Sequence, residues 1–299
     1  MNWLLLAILS ALLLGLYDVA KKASLEANAV LPVLLACSLV GVALVLPVGF
    51  FSWLAPEAAR AAGLLVEPLG VRAHGLVLAK AGIVTSSWVL TFFAIKHLPI
   101  SLAAPVRSTA PLFVLLGAFF LFGERPSGAQ WLGIGAILAS YWAFSLLGRA
   151  EGIHFGRDRW IWLMMAGTVV GAASGLYDKH LLQRASLPPV TLQFWSTLYN
   201  AGLLALVVGL LWWPRRRATT RFQWRWSFVA VGALLLAADQ LYFRSLAQPA
   251  ALISVVSIVR RSNVIVSFTV GSLAFRERNR MGKAGALAGV LVGLLLLLR

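Results

Sequence analysis

Residues 15–25, GLYDVAKKASL, recur at residues 175–187 as GLYDKHLLQRASL. A second pair lies further along. ISLAAPVRSTAPLFVLLGAFFLFGERPSG, from Ile100, lies without a gap over ISVVSIVRRSNVIVSFTVGSLAFRERNRM, from Ile253, which sets Arg107 over Arg260 and Glu124-Arg125 over Glu277-Arg278. The offset is 178 − 18 = 160 residues in the first pair and 277 − 124 = 153 in the second. Two matched segments in the same order, spanning most of the chain, mark a duplicated unit, so the second half is expected to repeat the fold of the first.

That unit belongs in a membrane. Of the 299 residues, 60% are hydrophobic and 12% charged, and the mean hydropathy of +0.86 is too high for a water-soluble domain of this size. A spanning helix needs about 20 largely apolar residues to cross a hydrocarbon core of about 30 Å. Ten segments meet that need, at 3–23, 30–53, 75–97, 100–121, 126–148, 160–183, 188–213, 227–247, 250–273 and 281–298. The expected fold is therefore all-α and integral to the membrane, with five spans at 1–148, a polar linker at 149–159 and five more at 160–299. An odd number of spans per repeat makes the second copy enter from the opposite face, which gives inverted-topology repeats with a binding site where they meet. Residues 54–74 mix Ala and Leu with sparse charge and suit a short interfacial helix.

Charge and composition exclude several function classes. The net charge of +16 would suggest nucleic acid in a soluble protein, but most Lys and Arg here punctuate apolar runs, where they act as topology signals and lipid-headgroup contacts. No nucleic-acid partner is expected. The single cysteine, Cys37, permits no intrachain disulfide and no thiolate metal cluster, and His74, His97, His154 and His180 show no metal-ligand spacing. No cofactor and no enzymatic site are expected. The first apolar run flows into the repeated motif without a basic leader or a cleavage site and reads as a retained span. Sorting basic residues between the two faces gives fifteen after the odd-numbered spans, Lys21 among them, and eight on the other side, Lys80 among them; the positive-inside rule then places both termini outside the cytoplasm.

Asp18, Asp178, Asp239, Arg107, Arg260 and Arg261 are the ionisable residues this reading places inside the spans. Charges at that depth are expensive and mark function by default. Counted at 1.5 Å per residue from one face, Asp18 and Arg107 reach similar depths, about 8 and 10 Å. The expected pairs are Asp18 with Arg107 and Asp178 with Arg260 or Arg261, either locking helices together or lining a cavity. Asp239 has no acidic counterpart in the first half, so it is the expected proton carrier. Tyr17 and Tyr177 stand beside the repeated aspartates as substrate contacts or interface anchors. Ser86, Ser87, Ser108, Thr109, Asn200, Ser262 and Asn263 are candidates to line a pathway or to bond between helices, and Trp88, Phe92, Trp195 and Tyr242 to wall it. Gly285, Gly289 and Gly293 form a packing stripe on the last span, used either within the chain or between the protomers of a homodimer.

Ten helices in two halves, a length near 300 residues and the Gly123-Glu124-Arg125-Pro126 turn, echoed by Glu277-Arg278, resemble the drug/metabolite transporter superfamily, in its EamA-type branch. The second turn departs from the first, with Arg276 and Asn279 in place of Gly and Pro. The resemblance implies a secondary transporter or exporter of small metabolites or xenobiotics in the cytoplasmic (inner) membrane, with its cavity between the halves and both termini cytoplasmic. It carries over no substrate-defining residue. From the residues themselves, the balance of acids and arginines favours a zwitterionic or neutral polar solute, and Asp239 is a candidate for proton coupling, with the coupling ion left open. The alternative is a lipid flippase or scramblase using the same helical shell. A small-molecule substrate and membrane lipids are the expected partners.

Overall fold

A computed structural model describes residues 2–99, 102–103, 106–107, 109–114, 116, 127–149, 157–249, 251, 253–274 and 280–296. Among these residues the structure is helical and contains no strand. The helices are α1 (Trp3–Leu25), α2 (Val30–Leu54), α3 (Pro56–Ala61), α4 (Val71–His97), α5 (Gly128–Arg149), α6 (Arg159–Lys179), α7 (Pro189–Val207), α8 (Ser227–Leu246), α9 (Ile253–Arg261), α10 (Asn263–Ala274) and α11 (Arg280–Leu296). Residues 102–103, 106–107 and 110–114 are also helical, with a turn at Thr109.

Local chemistry sets the ends. Asn2 caps α1 by accepting the Leu4 N–H at 3.1 Å, and Asp158 caps α6 by accepting the Trp160 N–H at 2.7 Å. Pro189 opens α7, where its missing N–H costs nothing. Lys22 lies beyond the end of α4 and donates to the carbonyls of Ile95 and Leu98 at 2.8 and 2.7 Å, capping that helix with a cation. The short helix α3 falls where an interfacial helix was expected.

Six helices are long and apolar enough to cross a membrane: α1, α2, α4, α6 with its continuation to Arg184, α7 with its continuation to Arg215, and α8. The chain is a multi-pass membrane protein. Of the other expected spans, α5 has 22 residues but a described apolar stretch of only Trp131–Ser140, α11 has 17 residues, and α9 and α10 are interrupted at Ser262. The linker residues 150–156, the turn at 123–126 and its echo at 275–279, with Arg276, Glu277, Arg278 and Asn279, lie outside the described residues, as do Ser108 and His154.

The second copy of the repeated motif is two residues longer than the first, 13 against 11. The surplus is absorbed as a π-helical turn, His180–Arg184, directly after Asp178-Lys179. Helix partners are exchanged reciprocally between the halves. α1 packs most extensively on α8 and α4 on α6, while α2 meets α7 and α5 meets α11. The shared core runs through Tyr17, Leu34, Phe92, Met164 and Phe228. Gly15 and Gly232 allow the closest approaches: a Cβ at Gly15 would lie 2.5 Å from Val266 Cβ on α10, and one at Gly232 would lie 2.7 Å from the Cys37 carbonyl on α2. Gly289 faces Ser140 of α5, so that part of the glycine stripe packs within the chain, whereas Gly285 faces open space.

Candidate functional site

Asp18 is buried on α1 and accepts three hydrogen bonds. Lys21 Nζ and Arg107 Nη1 donate to Oδ1 at 2.8 and 2.5 Å, and Asn263 Nδ2 donates to Oδ2 at 2.9 Å. The expected Asp18–Arg107 pair is present. Lys21, sorted with the loops by charge counting, is instead 1% exposed. One helical turn from Asp18, it lies 4.5 Å from the centre of the Tyr17 ring and 5.2 Å from that of Phe92, so two aromatic faces share its charge with the carboxylate. Tyr17 is thereby buried in this cluster.

The second motif is built differently. Asp178 pairs with neither Arg260 nor Arg261; its partner is Lys80 of α4, which donates to Oδ1. Arg260 instead donates to Asp239 of α8, and its guanidinium stands 4.0 Å above the centre of the Tyr242 ring. Asp239 is therefore not the lone buried acid expected of a proton carrier. The physical reason lies in the side chains around each copy. Where Asp18 has Lys21 three residues on, Asp178 has the fully buried Leu181, so its cation must come from another helix. Asp239, which has no counterpart in the first half, takes the arginine that the repeat would have assigned to Asp178. Lys80 lies in an unbroken apolar run, LVLAKAGIV, and α4 begins at Val71, four residues before the expected start at 75. At 1.5 Å per residue it sits about 14 Å inside the helix rather than near its end. That run was the signal that could have found it.

Two adjoining cavities meet at this point and share Lys80, Val84, Trp88, Leu235, Asp239 and Phe243 as walls. One is lined further by Tyr17, Cys37, Phe92, Gln193, Ser196 and Asn200. The other is lined by Ser87, Arg107, Ser174, Asp178, Tyr242, Ser257, Arg260 and Arg261, and holds about 900 Å³ of open space, its mouth included. Helices from both halves contribute to each. Tyr177 and Trp195 line neither. The Tyr177 hydroxyl donates to the Leu76 carbonyl at 3.3 Å, and Trp195 packs edge-on against His74 and Phe194. Of the polar candidates, Asn200 accepts from Thr85 Oγ1 at 3.2 Å, Ser87 donates to the Gly167 carbonyl at 2.8 Å, and Ser86 donates back to the Gly82 carbonyl at 2.9 Å.

The arginine segments share one local geometry at the offset of 153. Thr109 Oγ1 donates to the Val106 carbonyl at 2.7 Å, and Ser262 Oγ donates to the Val259 carbonyl at 2.7 Å. In each segment the same residue's N–H also bonds three residues back, and its carbonyl accepts the N–H three residues on, from Leu112 and from Ile265. Both helices are thus interrupted by a tight turn just past an arginine. This register makes Arg260 the geometric counterpart of Arg107 and leaves Arg261 as the extra residue.

Among the described residues no group of His, Cys, Asp or Glu is arranged to hold a metal ion.

Residues 1–146 match the model of the EamA-like transporter family. No curated protein matches the chain. A solved structure, described only as the crystal structure of a protein, superposes with a TM-score of 0.65 over 98% of this chain and 97% of its own, at 21% identity. That likeness shows a shared fold.

Proposed function

We propose, for a chain whose first half belongs to the EamA-like transporter family and so to the drug/metabolite transporter superfamily, that it is a secondary transporter moving a small metabolite or xenobiotic by alternating access. One observation carries the reading: a cavity walled by Lys80, Arg107, Asp178, Asp239, Arg260 and Arg261, built from helices of both halves at membrane depth. Charges there are costly to keep unless a solute or ion uses them.

Two further features support the same picture. The reciprocal partners α1–α8 and α4–α6, with α2–α7 and α5–α11, are the contacts that a two-fold relation between five-helix repeats would produce. The turns at Thr109 and Ser262 interrupt helices beside the cavity, where broken helices of transporters place their backbone polar groups. On this reading the chain has ten spans in two inverted repeats, sits in the cytoplasmic membrane and works as an exporter. Since Arg260 holds Asp239, the proposal includes no proton step through that residue.

The test is exchange of labelled metabolites by the purified protein in liposomes, compared with Asp178→Asn. Solute counterflow lost in the variant supports the reading. Headgroup exchange without any solute counterflow would transfer it to lipids.

A further inference from the structure

The cavity carries more positive than negative charge. Its wall holds four formal cations, Lys80, Arg107, Arg260 and Arg261, against two carboxylates, Asp178 and Asp239, while Lys21 and Asp18 are buried behind Arg107. The balance that favoured a zwitterionic or neutral solute does not hold.

Where the surplus sits is defined. Lys21 and Arg107 share Asp18, Lys80 takes Asp178 and Arg260 takes Asp239. Arg261 lines the same cavity, and none of the described carboxylates lies within ion-pairing distance of it. A guanidinium always carries its charge and presents a planar fork of donors that fits carboxylate and phosphate oxygens in pairs. In a site screened from bulk water an unpaired guanidinium is costly, and an arriving oxyanion would offset that cost. The surrounding wall gives the remainder of the solute something to meet: Trp88, Tyr242 and Phe243 offer aromatic faces beside the charges.

We propose that the transported solute is an organic oxyanion, a carboxylate- or phosphate-bearing small molecule, and that Arg261 is the group that anchors its charge. This rests on the carrier reading above. It also gives the extra arginine a role: the repeat accounts for Arg260, whose charge is already engaged by Asp239.

The experiment is the thermal stability of the full chain in mild detergent, at fixed ionic strength, against molecules sharing one ring but differing in charge: indole-3-acetate, indole-3-acetamide, tryptamine and tryptophan. Glycerol 3-phosphate, glycerol and inorganic phosphate form a second arm that separates phosphate from carboxylate recognition. Binding to the folded state raises the melting temperature. The expected result is stabilisation by indole-3-acetate or by glycerol 3-phosphate and not by their uncharged analogues. Arg261→Gln should weaken that binding by roughly tenfold to a hundredfold, and Arg261→Lys by less, since one charge-assisted pair is lost in the first and only its fork geometry in the second. Size-exclusion profiles of both variants check that they remain folded, and a lower Arg261→Gln affinity in counterflow replaces the melting assay if that variant is unstable. Stabilisation by the amide, the amine or glycerol, or anion binding that Arg261→Gln leaves unchanged, overturns the anion assignment while the carrier reading stands. Silence from every compound also overturns the assignment; the carrier reading falls only if the wild-type protein in liposomes additionally exchanges nothing from a labelled metabolite mixture.

Discussion

The two copies of Gly-Leu-Tyr-Asp carry the same four residues into opposite situations. In the first, Asp18 is enclosed by Lys21, Arg107 and Asn263, Tyr17 is buried beneath Lys21 at the edge of the first cavity, and Gly15 lies tight against α10. In the second, Asp178 pairs with Lys80 and lines the cavity; Tyr177 turns to the Leu76 carbonyl, and a Cβ on Gly175 would meet only the Tyr242 hydroxyl, at 3.9 Å. A duplicated motif has become a three-partner lock at one site and, though equally buried, part of the cavity wall at the other. The change came from its neighbours, namely the lysine at Lys21, the leucine at Leu181 and the unmatched pair Lys80 and Asp239.

The largest test of that contrast removes each carboxylate in turn. Asp18→Asn leaves the buried Lys21 and the half-buried Arg107 without a counter-charge, and a broken buried pair costs about 3–5 kcal/mol. The melting temperature in detergent should fall sharply, with loss of monodisperse protein. Asp178→Asn should lose solute exchange at least as strongly but melt closer to wild type, because Lys80 borders open cavity and the Phe243 ring, 5.0 Å away. Equal melting costs for the two variants would show that both sites are locks.

Next in size comes the glycine pair. Gly15→Ala places a methyl group 2.5 Å from Val266 Cβ and 2.9 Å from the Asn263 carbonyl oxygen. Overpacking of this kind costs about 1–3 kcal/mol. Gly175→Ala should be neutral or slightly stabilising, since Ala is the better helix former and the site has room. A destabilising Gly175→Ala would mean that the second copy is packed as tightly as the first.

The repeat itself, and the Asp18–Arg107 pair, were legible in the chain because both copies survive at fixed offsets and the two residues count to similar depths. The remaining pairs were hidden for definable reasons. Lys21-Lys22 looked like a helix-ending flag, although Lys21 stands three residues from Asp18 on one face. Lys80 seemed close to an interface because α4 starts a turn earlier than its apolar run suggests, at Val71. Asp239 carries no repeat information at all, since its first-half position is Val89. A sequence repeat reports what two copies share, and the charges that redirected Arg260 are those found in one copy only. A double-mutant cycle sharpens this account: Lys80→Met with Asp178→Asn should show a coupling of about 0.5–3 kcal/mol, and Asp178→Asn with Arg260→Gln a smaller one. The reverse order would restore the pairing that the repeat alone suggests.

The smallest effect concerns the one feature in which the copies agree. Thr109 and Ser262 make the same hydrogen bond at the same length, to carbonyls at positions 106 and 259, and stop their helices at equivalent places. Each hydroxyl adds a second hydrogen bond to a carbonyl that already accepts the same residue's N–H, a contribution of about 1 kcal/mol. Thr109→Val and Ser262→Ala should therefore destabilise by similar small amounts in a melting assay, with Thr109 the more sensitive because it is fully buried and Ser262 only half so. Exchange rates discriminate further. If the turns act as paired flexing points, both variants should alter the rate of counterflow in the same direction, by a few-fold. A change confined to Ser262→Ala, beside Arg261, would instead assign the motion to the second copy, and the asymmetry seen at the aspartates would then extend to the moving parts.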